Sequence, residues 1–511
     1  MKFSRITEAF QALESTQSNL EKTDILADLF LDAGEELEDV VMLSTGEPFP
    51  QWKDLDLGVS SKTLVKTISR ATGRNEDEIE TVWRDEGDLG IAAEKMMENK
   101  TQQKLLPTDL TVEKIVRRMH KVAQMEAEGL SQSVDQDKKQ AELADLISSA
   151  EPEEARYIAR IMINNLRLGV AEGTIRDALA EAFFDGDYKE DIQQAYDFTN
   201  DFAEVSRACK GGIDEVRSLK LELFRPVNSM LAKKVETIEE GFEEVGKPAA
   251  VDYKYDGLRA QIHVKDGEVR VFTRRLEDVT EQFPDVKSAV EDLVESENCI
   301  IDAEVVGYDP EDGSMIPFQK LSKRIKRKYD IQKLKEKIPV EIRPFDLIYL
   351  DEPILQEPYS RRWSLLKDAV SEQDRRLSLV DHEETSDPEK VQQMQQRSLS
   401  EGHEGIMMKN LDAEFKPGNR VGYMVKLKPV METLDLAIVG AKWSEGRRSD
   451  WLGRLYLGCY DPENDEYLEV GKMATGLTDE QFQEITEKLK PLITEEHGRK
   501  VDVRPEVIVE A

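Results

Sequence analysis

The stretch Lys254-Tyr255-Asp256-Gly257 lies inside an apolar run from Val251 to Val264, in the middle of the chain. The run predicts two strands, Ala250 to Tyr255 and Ala260 to Val264, that are joined at the glycine. A lysine before an Asp-Gly turn is usually a solvated surface group. The four residues therefore become informative only if the rest of the chain supplies suitable partners for the lysine.

A lysine in this position can serve as a covalent nucleophile toward a nucleotide phosphate, and that chemistry has clear requirements. The pKa of a free lysine is about 10.4, so only about 1 in 2,500 molecules is neutral at pH 7. Nearby cations or burial favour the neutral amine, and Lys, Arg and a metal ion neutralise the attacked phosphate. Mg²⁺ is the natural metal for a nucleotide and prefers carboxylate oxygens. The base needs an aromatic or apolar surface.

Residues of each required type follow downstream, on predicted strands or at strand ends. They stand at Arg259, Arg274-Arg275, Asp302-Ala303-Glu304, Pro344-Phe345-Asp346, Glu404 to Lys409, Arg420 and Lys426-Leu427-Lys428. Singly, each has an ordinary structural interpretation, for example Phe345 as core and Glu304 as a satisfied strand-end carboxylate. Their joint occurrence in this order indicates a nucleotide site around Lys254.

Composition places the chain among multidomain proteins with an acidic surface. It has 511 residues, a formal net charge of −35 and 34% charged residues. Such acidity argues against a generally basic, nucleic-acid-coating protein. It does not exclude a DNA partner, because at molar salt the screening length falls to about 3 Å. An acidic surface for solubility is the ordinary interpretation, and adaptation to high salt, in a halophile, is the more specific one that we expect.

The cysteines and the hydropathy pattern argue against several further classes of protein. Cys209, Cys299 and Cys459 are spread along the chain without a CxxC pair, which excludes a structural zinc ribbon and disfavours a disulfide framework. The N-terminus has no secretory h-region, and no apolar run approaches the length of a membrane span. We expect a cytoplasmic, monomeric protein without a membrane partner.

Three regions differ in their hydrophobic pattern. Apolar positions at spacings of three and four predict an all-helical domain over residues 1–220. Strands that alternate with helices predict an α+β domain over residues 221–430. Over residues 431–511, three short strands, a helix at Asp479 to Leu492 and a last strand at Glu506 to Val509 predict an OB-type barrel without its final strand.

The stretches that carry the candidate groups resemble, in order, the motifs of the ATP-dependent DNA ligases, of the archaeal replicative type. The matching stretches are Lys254-Tyr255-Asp256-Gly257, Phe272 to Arg275, Asp302 to Glu304, Pro344 to Asp346, Glu404 to Lys409 and Lys426 to Lys428. Arg225-Pro226-Val227 with Met230-Leu231-Ala232 resembles the family's lead-in to its catalytic domain. The resemblance implies a multidomain fold: a helical DNA-binding domain, a nucleotidyltransferase (adenylation) domain and an OB-fold β-barrel.

The resemblance implies that the protein seals nicks in double-stranded DNA during replication, recombination, repair and cell division. Lys254 would attack the α-phosphate of ATP to form lysyl-AMP, AMP would pass to the 5′-phosphate at a nick, and the 3′-hydroxyl would displace AMP. By the same resemblance, Arg259 and Arg274 would bind the nucleotide and the nick phosphate, and Glu304 and Glu404 would bind the ribose and Mg²⁺. Phosphate binding is expected for Arg420, Lys426 and Lys428. Phe345 would stack on adenine, and Asp252, where the family usually has Glu, would contact adenine.

Two stretches depart from the family pattern. Ligases continue into another OB strand and a basic final motif, whereas this sequence stops at Val509-Glu510-Ala511. We interpret it as a fragment, because a barrel one strand short exposes an unpaired edge. We expect a larger loss in lysyl-AMP formation than in sealing of pre-adenylylated nicks. Gln103 to Leu106 stands where archaeal relatives carry a sliding-clamp peptide, but the usual aromatic pair is missing and a helix-linking loop is the alternative.

Candidate DNA contacts and other functions complete the interpretation. Basic side chains for DNA phosphates include Arg156, Arg160, Arg167 and the run Lys323 to Lys328, for which an exposed helix is the alternative.

RNA ligases and mRNA capping enzymes share the lysine motif, but the long helical domain before it favours a DNA ligase. A non-enzymatic DNA-binding or clamp-associated scaffold stays open. An NAD-dependent ligase is disfavoured because a four-cysteine zinc site is missing.

Overall fold

The computed structural model describes residues 1–53, 55–98, 110–127, 133–325, 330–418, 421–429, 433–445 and 448–511. Gln103 to Leu106, Lys326 to Lys328 and Arg420 lie outside these described residues. The chain forms two compact units. The first comprises Met1–Pro48, Leu55–Ala178 and Met431–Ala511, and the second comprises Phe49–Asp54 and Leu179–Val430. None of the helices in the described part of the chain is both long and apolar enough to cross a bilayer.

The N-terminal region is helical, as predicted. Its helices are α1 (Phe3–Ser15), α2 (Asn19–Asp32), α3 (Leu37–Thr45), α4 (Ser61–Thr72), α5 (Glu76–Glu86), α6 (Leu89–Glu98), α7 (Val112–Ala127), α8 (Ser133–Ser148), α9 (Pro152–Met162), α10 (Glu172–Phe184), α11 (Lys189–Thr199), α12 (Phe202–Gly211) and α13 (Ile213–Ser218). Local signals fix the ends of several helices. Ser60 caps α4 by accepting a hydrogen bond from the Thr63 N–H, and Gly73 ends it in the left-handed conformation.

Ion pairs inside the helical packing involve two of the arginines that we considered for DNA. The Arg160 guanidinium is buried and pairs with Asp88 at 3.0 Å and with Glu14. Arg156 donates to Glu94 at 2.6 Å and to Glu14 at 3.2 Å. The prediction that Arg160 holds a DNA phosphate is therefore wrong, because carboxylates already neutralise this buried guanidinium.

The second unit holds most of the strands of the chain. After α13 come β1 (Lys233–Val235), α14 (Ile238–Val245), β2 (Ala249–Tyr253), β3 (Leu258–Lys265), β4 (Glu268–Thr273), α15 (Pro284–Leu293), β5 (Asn298–Tyr308), β6 (Met315–Ile316), α16 (Phe318–Ile325), α17 (Ile331–Lys337), β7 (Val340–Leu350), β8 (Glu352–Pro353), α18 (Tyr359–Ala369), β9 (His382–Thr385), α19 (Pro388–Ser400), β10 (Ile406–Asn410) and β11 (Met424–Leu427). They form two sheets. Sheet A has the order β1-β11-β10-β2-β9, and sheet B has the order β4-β3-β5-β7-β8 with β6 beside β5.

The strands that flank Lys254 belong to different sheets. β2 lies in sheet A and β3 in sheet B, so Lys254 to Gly257 crosses from one sheet to the other. Leu258, Ala260, Ile262 and Val264 alternate along β3 and point into the main hydrophobic core of the unit. A Cβ at Gly257 would lie 2.5 Å from the Val305 carbonyl oxygen, so this crossing requires glycine.

The predicted basic run in this unit contains one structural arginine. Arg324 is 1% exposed, and its guanidinium donates two hydrogen bonds to the Asp285 carboxylate, at 2.7 and 2.8 Å. The ring of Phe283 lies 4.5 Å from it. Arg324 therefore does not contact DNA, contrary to the prediction for this part of the run.

The C-terminal region is a sheet with one long helix, in the predicted order up to that helix. Its elements are β12 (Asp435–Trp443), β13 (Leu452–Asp461), β14 (Glu466–Met473), α20 (Asp479–Leu489), β15 (Ile493–His497), β16 (Lys500–Val503) and β17 (Ile508–Glu510). The sheet order is β14-β13-β12-β16-β15, and β17 pairs with β12. The β15–β16 hairpin is not predicted, because β15 is largely exposed and polar and lacks the alternation of a half-buried strand.

Candidate active site

A cavity of about 350 Å³ in the second unit is lined by residues from both sheets. The crossing segment Lys254 to Gly257 forms part of its wall. Predicted site residues in the lining are Asp252, Lys254, Arg259, Arg274, Glu304, Phe345, Glu404 and Lys426. The fold thus brings together side chains that lie up to about 170 positions apart in the sequence, as Asp252 and Lys426 do.

One row of side chains runs across four strands of sheet A. The antiparallel register places His382 of β9 beside Asp252 of β2, Asp252 beside Met407 of β10, and Met407 beside Lys426 of β11. Residues that pair across neighbouring strands project to the same face of a sheet. The row therefore presents a carboxylate, a thioether and an ammonium group side by side on the cavity face.

Lys254 lies directly after β2 and meets a carboxylate. Its Nζ is 2.7 Å from Glu404 Oε2, and the Nζ of Lys428 is also 2.7 Å from that oxygen. The backbone holds the pair together, because the Lys254 N–H donates to the Gly405 carbonyl at 2.9 Å and the Glu404 N–H donates to the Lys254 carbonyl at 2.8 Å. Burial raises the pKa of Glu404, but the hydrogen bonds from the two lysines outweigh it and hold the pKa below its ordinary value.

A buried polar cluster includes two members of this row, Asp252 and His382. Asp252 is 2% exposed, with Lys409 Nζ 2.6 Å from one carboxylate oxygen and His382 Nδ1 2.6 Å from the other. Lys409 also donates to the Tyr359 hydroxyl at 3.1 Å and to the Phe345 carbonyl at 3.3 Å. The cluster fixes the Asp252 carboxylate at the cavity wall and ties sheet A to β7 of sheet B.

Sheet B contributes an arginine clamp. Arg259 donates to both carboxylate oxygens of Asp302, at 3.1 and 2.7 Å, and to the Met230 carbonyl at 2.8 Å. Its guanidinium lies 5.3 Å from the centre of the Phe345 ring. These contacts use three of the five N–H donors of the guanidinium.

Glu304 is the carboxylate of the cavity with the most unusual environment. Burial raises its pKa to about 7, against the opposing attraction of Lys254 and Arg259. Among the described residues, neither a hydrogen bond nor an ion pair holds its carboxylate. A half-buried carboxylate with a raised pKa and without such a partner is suited to binding a hard cation such as Mg²⁺.

Sequence reasoning located most of the cavity wall and missed its supporting residues. Lys428 does not line the cavity itself but reaches it through Glu404, and Arg420 lies outside the described residues. The missed roles are those of Lys409, His382, Tyr359 and Asp302, which orient Asp252 and Arg259. Lys409 and Asp302 stand in quoted motifs and offered a signal. His382 offered none.

Comparison with known proteins covers nearly the whole chain. The model of the DNA ligase N terminus matches residues 2–180, that of the ATP dependent DNA ligase domain matches residues 229–428, and that of the ATP dependent DNA ligase C terminal region matches residues 448–510. In overall fold the chain is similar to a solved structure named "Pmar-Lig_PreS3", with a TM-score of 0.60, 18% identity, and 94% of this chain and 90% of that chain covered.

Curated relatives agree with these matches. The DNA ligase of Nanoarchaeum equitans (strain Kin4-M) is 41% identical, and that of Thermococcus onnurineus (strain NA1) is 38% identical. Each alignment covers 100% of this chain and 90% of the relative. Identity at this level along the whole chain, together with the ligase domains in their order, shows that the chain belongs to the family of ATP-dependent DNA ligases, enzymes that seal nicks in DNA.

Proposed function

We propose that Lys254 is the nucleophile of this ligase and forms a lysyl-AMP intermediate. The observation that carries the proposal is the position of its Nζ, at a cavity lined by both sheets and 2.7 Å from Glu404 Oε2. This contact fixes Nζ at the cavity, and Nζ must lose one proton before it can attack. A new N–P bond then forms at the α-phosphate of ATP, the bond from that phosphorus to the bridging oxygen breaks, and pyrophosphate leaves with the electron pair.

The later steps use the same cavity. A 5′-phosphate oxygen at the nick attacks the phosphorus of lysyl-AMP, which frees Lys254 and leaves AMP on the DNA end. The 3′-hydroxyl then attacks the 5′-phosphorus, and AMP departs as the strand is joined. The cations that neutralise phosphate charge in these steps are Arg274, Lys426 and Lys428, with Arg420 as the member predicted from sequence alone.

Glu304 and Glu404 would hold Mg²⁺. Glu304 has a carboxylate without a protein partner among the described residues, and Glu404 meets both of its lysines at Oε2. The ion supplies positive charge beside the phosphates. Glu304 lies on the strand next to Arg259, which also suits a contact with the ribose.

The base site consists of Phe345, Asp252 and Arg259. Phe345 supplies a ring for adenine to stack on. Asp252 is shorter than the Glu usual in the family, and Lys409 and His382 hold its carboxylate at the cavity wall. Arg259 has two N–H donors beyond those bound to Asp302 and Met230, and these suit a nucleotide oxygen.

The biological setting is also a proposal. We assign residues 1–220 to DNA binding, 221–430 to adenylation and 431–511 to an OB domain. The protein acts as a monomer in the cytoplasm, in replication, recombination, repair and cell division of a halophile. Contact with a sliding clamp through Gln103 to Leu106 stays a prediction from the sequence.

A labelled adduct tests the nucleophile. Incubation with [α-³²P]ATP and Mg²⁺ should leave a covalent label on the wild-type chain in a denaturing gel, and Lys254→Ala should lose it. The matched control is Lys287→Ala, which removes a partly exposed lysine of α15 outside the cavity and should label normally. A label that persists in Lys254→Ala would show that another residue carries AMP. Label from GTP in place of ATP would favour a capping enzyme.

A further inference from the structure

The segment before β1 forms a strap along the edge of the catalytic cavity. We define the strap as Phe224 to Ala232, in which residues 225–232 have no regular secondary structure. Its last residues, Met230, Leu231 and Ala232, line the cavity. Val227 and Met230 are buried in a second hydrophobic cluster of the unit, separate from its main core. The strap therefore forms one wall of the nucleotide site but has no regular secondary structure, so contacts from other elements must hold it in place.

Side chains of β3 hold the strap at a regular spacing. Arg259, Gln261 and His263 are alternate residues of β3 and project away from the main core. Arg259 donates to the Met230 carbonyl at 2.8 Å, and His263 Nδ1 accepts from the Phe224 N–H at 3.0 Å. Gln261 lies between them and bonds Val227.

The Gln261 contact is the most specific of the three. Its side-chain oxygen accepts from the Val227 N–H at 3.0 Å, and its side-chain nitrogen donates to the Val227 carbonyl at 2.6 Å. The primary amide thus replaces the two hydrogen bonds that a neighbouring strand would give. Gln261 is 3% exposed, so loss of its amide would leave both backbone groups of Val227 buried without partners.

The corner between α11 and α12 holds the strap from another direction. Asn200 donates to the Pro226 carbonyl at 3.0 Å and accepts from the Asn228 side chain at 2.6 Å. Arg225 donates to Glu204 of α12 at 2.6 Å. The strap is therefore held both by side chains of β3 and by the α11–α12 corner. The contacts of the corner do not involve β3, the strand that carries Arg259.

We propose that Gln261 is a positioning residue for nucleotide binding, which acts by holding the strap so that Met230 to Ala232 form one wall of the cavity. The inference rests on the proposed function in one respect, that ATP binds in this cavity. Gln261 does not touch the nucleotide. It sets the distance between the strap and the opposite wall, and the same displacement of the strap would remove the carbonyl that Arg259 binds. The loss should therefore appear in the affinity for ATP and not in the reaction at Lys254.

The test separates affinity from chemistry in the lysyl-AMP reaction. Gln261→Leu keeps the side-chain volume and removes both hydrogen bonds, so the KM for ATP should rise about fivefold while the rate at saturating ATP changes by less than about twofold. Asn228→Ala loosens the strap from the α11–α12 corner and should give the same split. Thr280→Val is the control, since it removes another side-chain hydrogen bond to the backbone, at the Val271 N–H, outside the nucleotide cavity.

Two results would overturn the inference. One is an unchanged KM in Gln261→Leu and Asn228→Ala although both lower the unfolding temperature as much as Thr280→Val does. The other is a fall in rate at saturating ATP without a change in KM. If the wild-type chain forms no adduct, only the proposed role of Lys254 as the nucleophile is contradicted. The role of Gln261 can still be tested by measuring ATP affinity with calorimetry in chains that also carry Lys254→Ala. An unchanged affinity there refutes the role of Gln261.

Discussion

Asp252 is buried between a lysine and a histidine, and its carboxylate shows how single residues are tuned in this unit. Burial raises the pKa of the carboxyl group, but Lys409 and then His382 outweigh it and hold the pKa below its ordinary value. The charged carboxylate is therefore the stable form in the cavity wall. Removing Lys409 would leave a buried charge with one partner fewer, which is costly at a site that is 2% exposed.

The buried side chain of His263 makes the free energy of unfolding depend on pH. Burial and then Arg270 lower its pKa to about 3, whereas the unfolded value is 6.5. The unfolded chain therefore binds the proton first as the pH falls. We expect this residue alone to lower the free energy of unfolding by about 1.4 kcal/mol for each pH unit below about 6.5. Urea unfolding at pH 7 and pH 5 measures the drop.

The control for this prediction replaces each of two histidines in turn. His263→Gln should reduce the difference in unfolding free energy between the two pH values. His497→Gln removes a histidine that is 60% exposed and should leave the difference unchanged. Equal pH dependence in wild type and His263→Gln would contradict the assignment, because the substitution removes the contribution of the buried neutral imidazole.

Among the elements of the fold, the crossing from β2 to β3 places Lys254, the proposed nucleophile, at the cavity. Two strands that follow each other directly in sequence usually pair in one sheet. Here each joins a different sheet, so the backbone between them opens toward the cavity instead of closing a hairpin. Gly257 permits the crossing because the Val305 carbonyl lies where a side chain would begin.

Gly257→Ala tests this crossing. The new Cβ would lie 2.5 Å from the Val305 oxygen and 3.0 Å from Glu304 Cγ, so either β5 or the crossing must move. We expect a loss of about 1–3 kcal/mol in unfolding free energy, with a large loss of lysyl-AMP formation because Lys254 and Glu304 both shift. Denaturant unfolding and the labelled adduct measure the two effects. Gly471→Ala, whose Cβ meets nothing within 4 Å, should change neither.

At the scale of the whole molecule, charge is the dominant feature. The chain carries 105 acidic and 70 basic residues, for a formal net charge of −35. Like charges at this density repel one another in the folded state at low salt. Salt shortens the range of that repulsion, from about 10 Å at 0.1 M to about 3 Å at 1 M.

We therefore expect the thermal unfolding temperature to rise when KCl is increased from about 0.1 M to about 1 M, because the screening length falls from about 10 Å to about 3 Å over this range. Scanning calorimetry on the intact chain measures the shift. Sucrose at matched osmolality is the control, because it leaves the charge repulsion unscreened. A flat or falling unfolding temperature in KCl would contradict an adaptation of this surface to high salt.

The helical N-terminal region, the order of the motifs and the candidate nucleophile can all be predicted from the sequence alone. Helix periodicity and caps are local signals, and the capping box of Glu151 and Glu154 shows how a few adjacent residues suffice. Lys254 was recognised in the same way, since the motif around it spans four residues and its partners follow in a fixed order.

The surroundings of Lys254 depend on tertiary contacts. His382 reaches Asp252 across 130 positions of sequence, and Gln261 reaches Val227 across 34. Arg160 and Arg324 were predicted as DNA contacts but are buried ion pairs, because their carboxylate partners come from other helices and loops. The β15 strand carries no burial pattern of its own and exists through its pairing with β16. Each of these contacts depends on which elements pack together, and no local pattern of residue types encodes that choice.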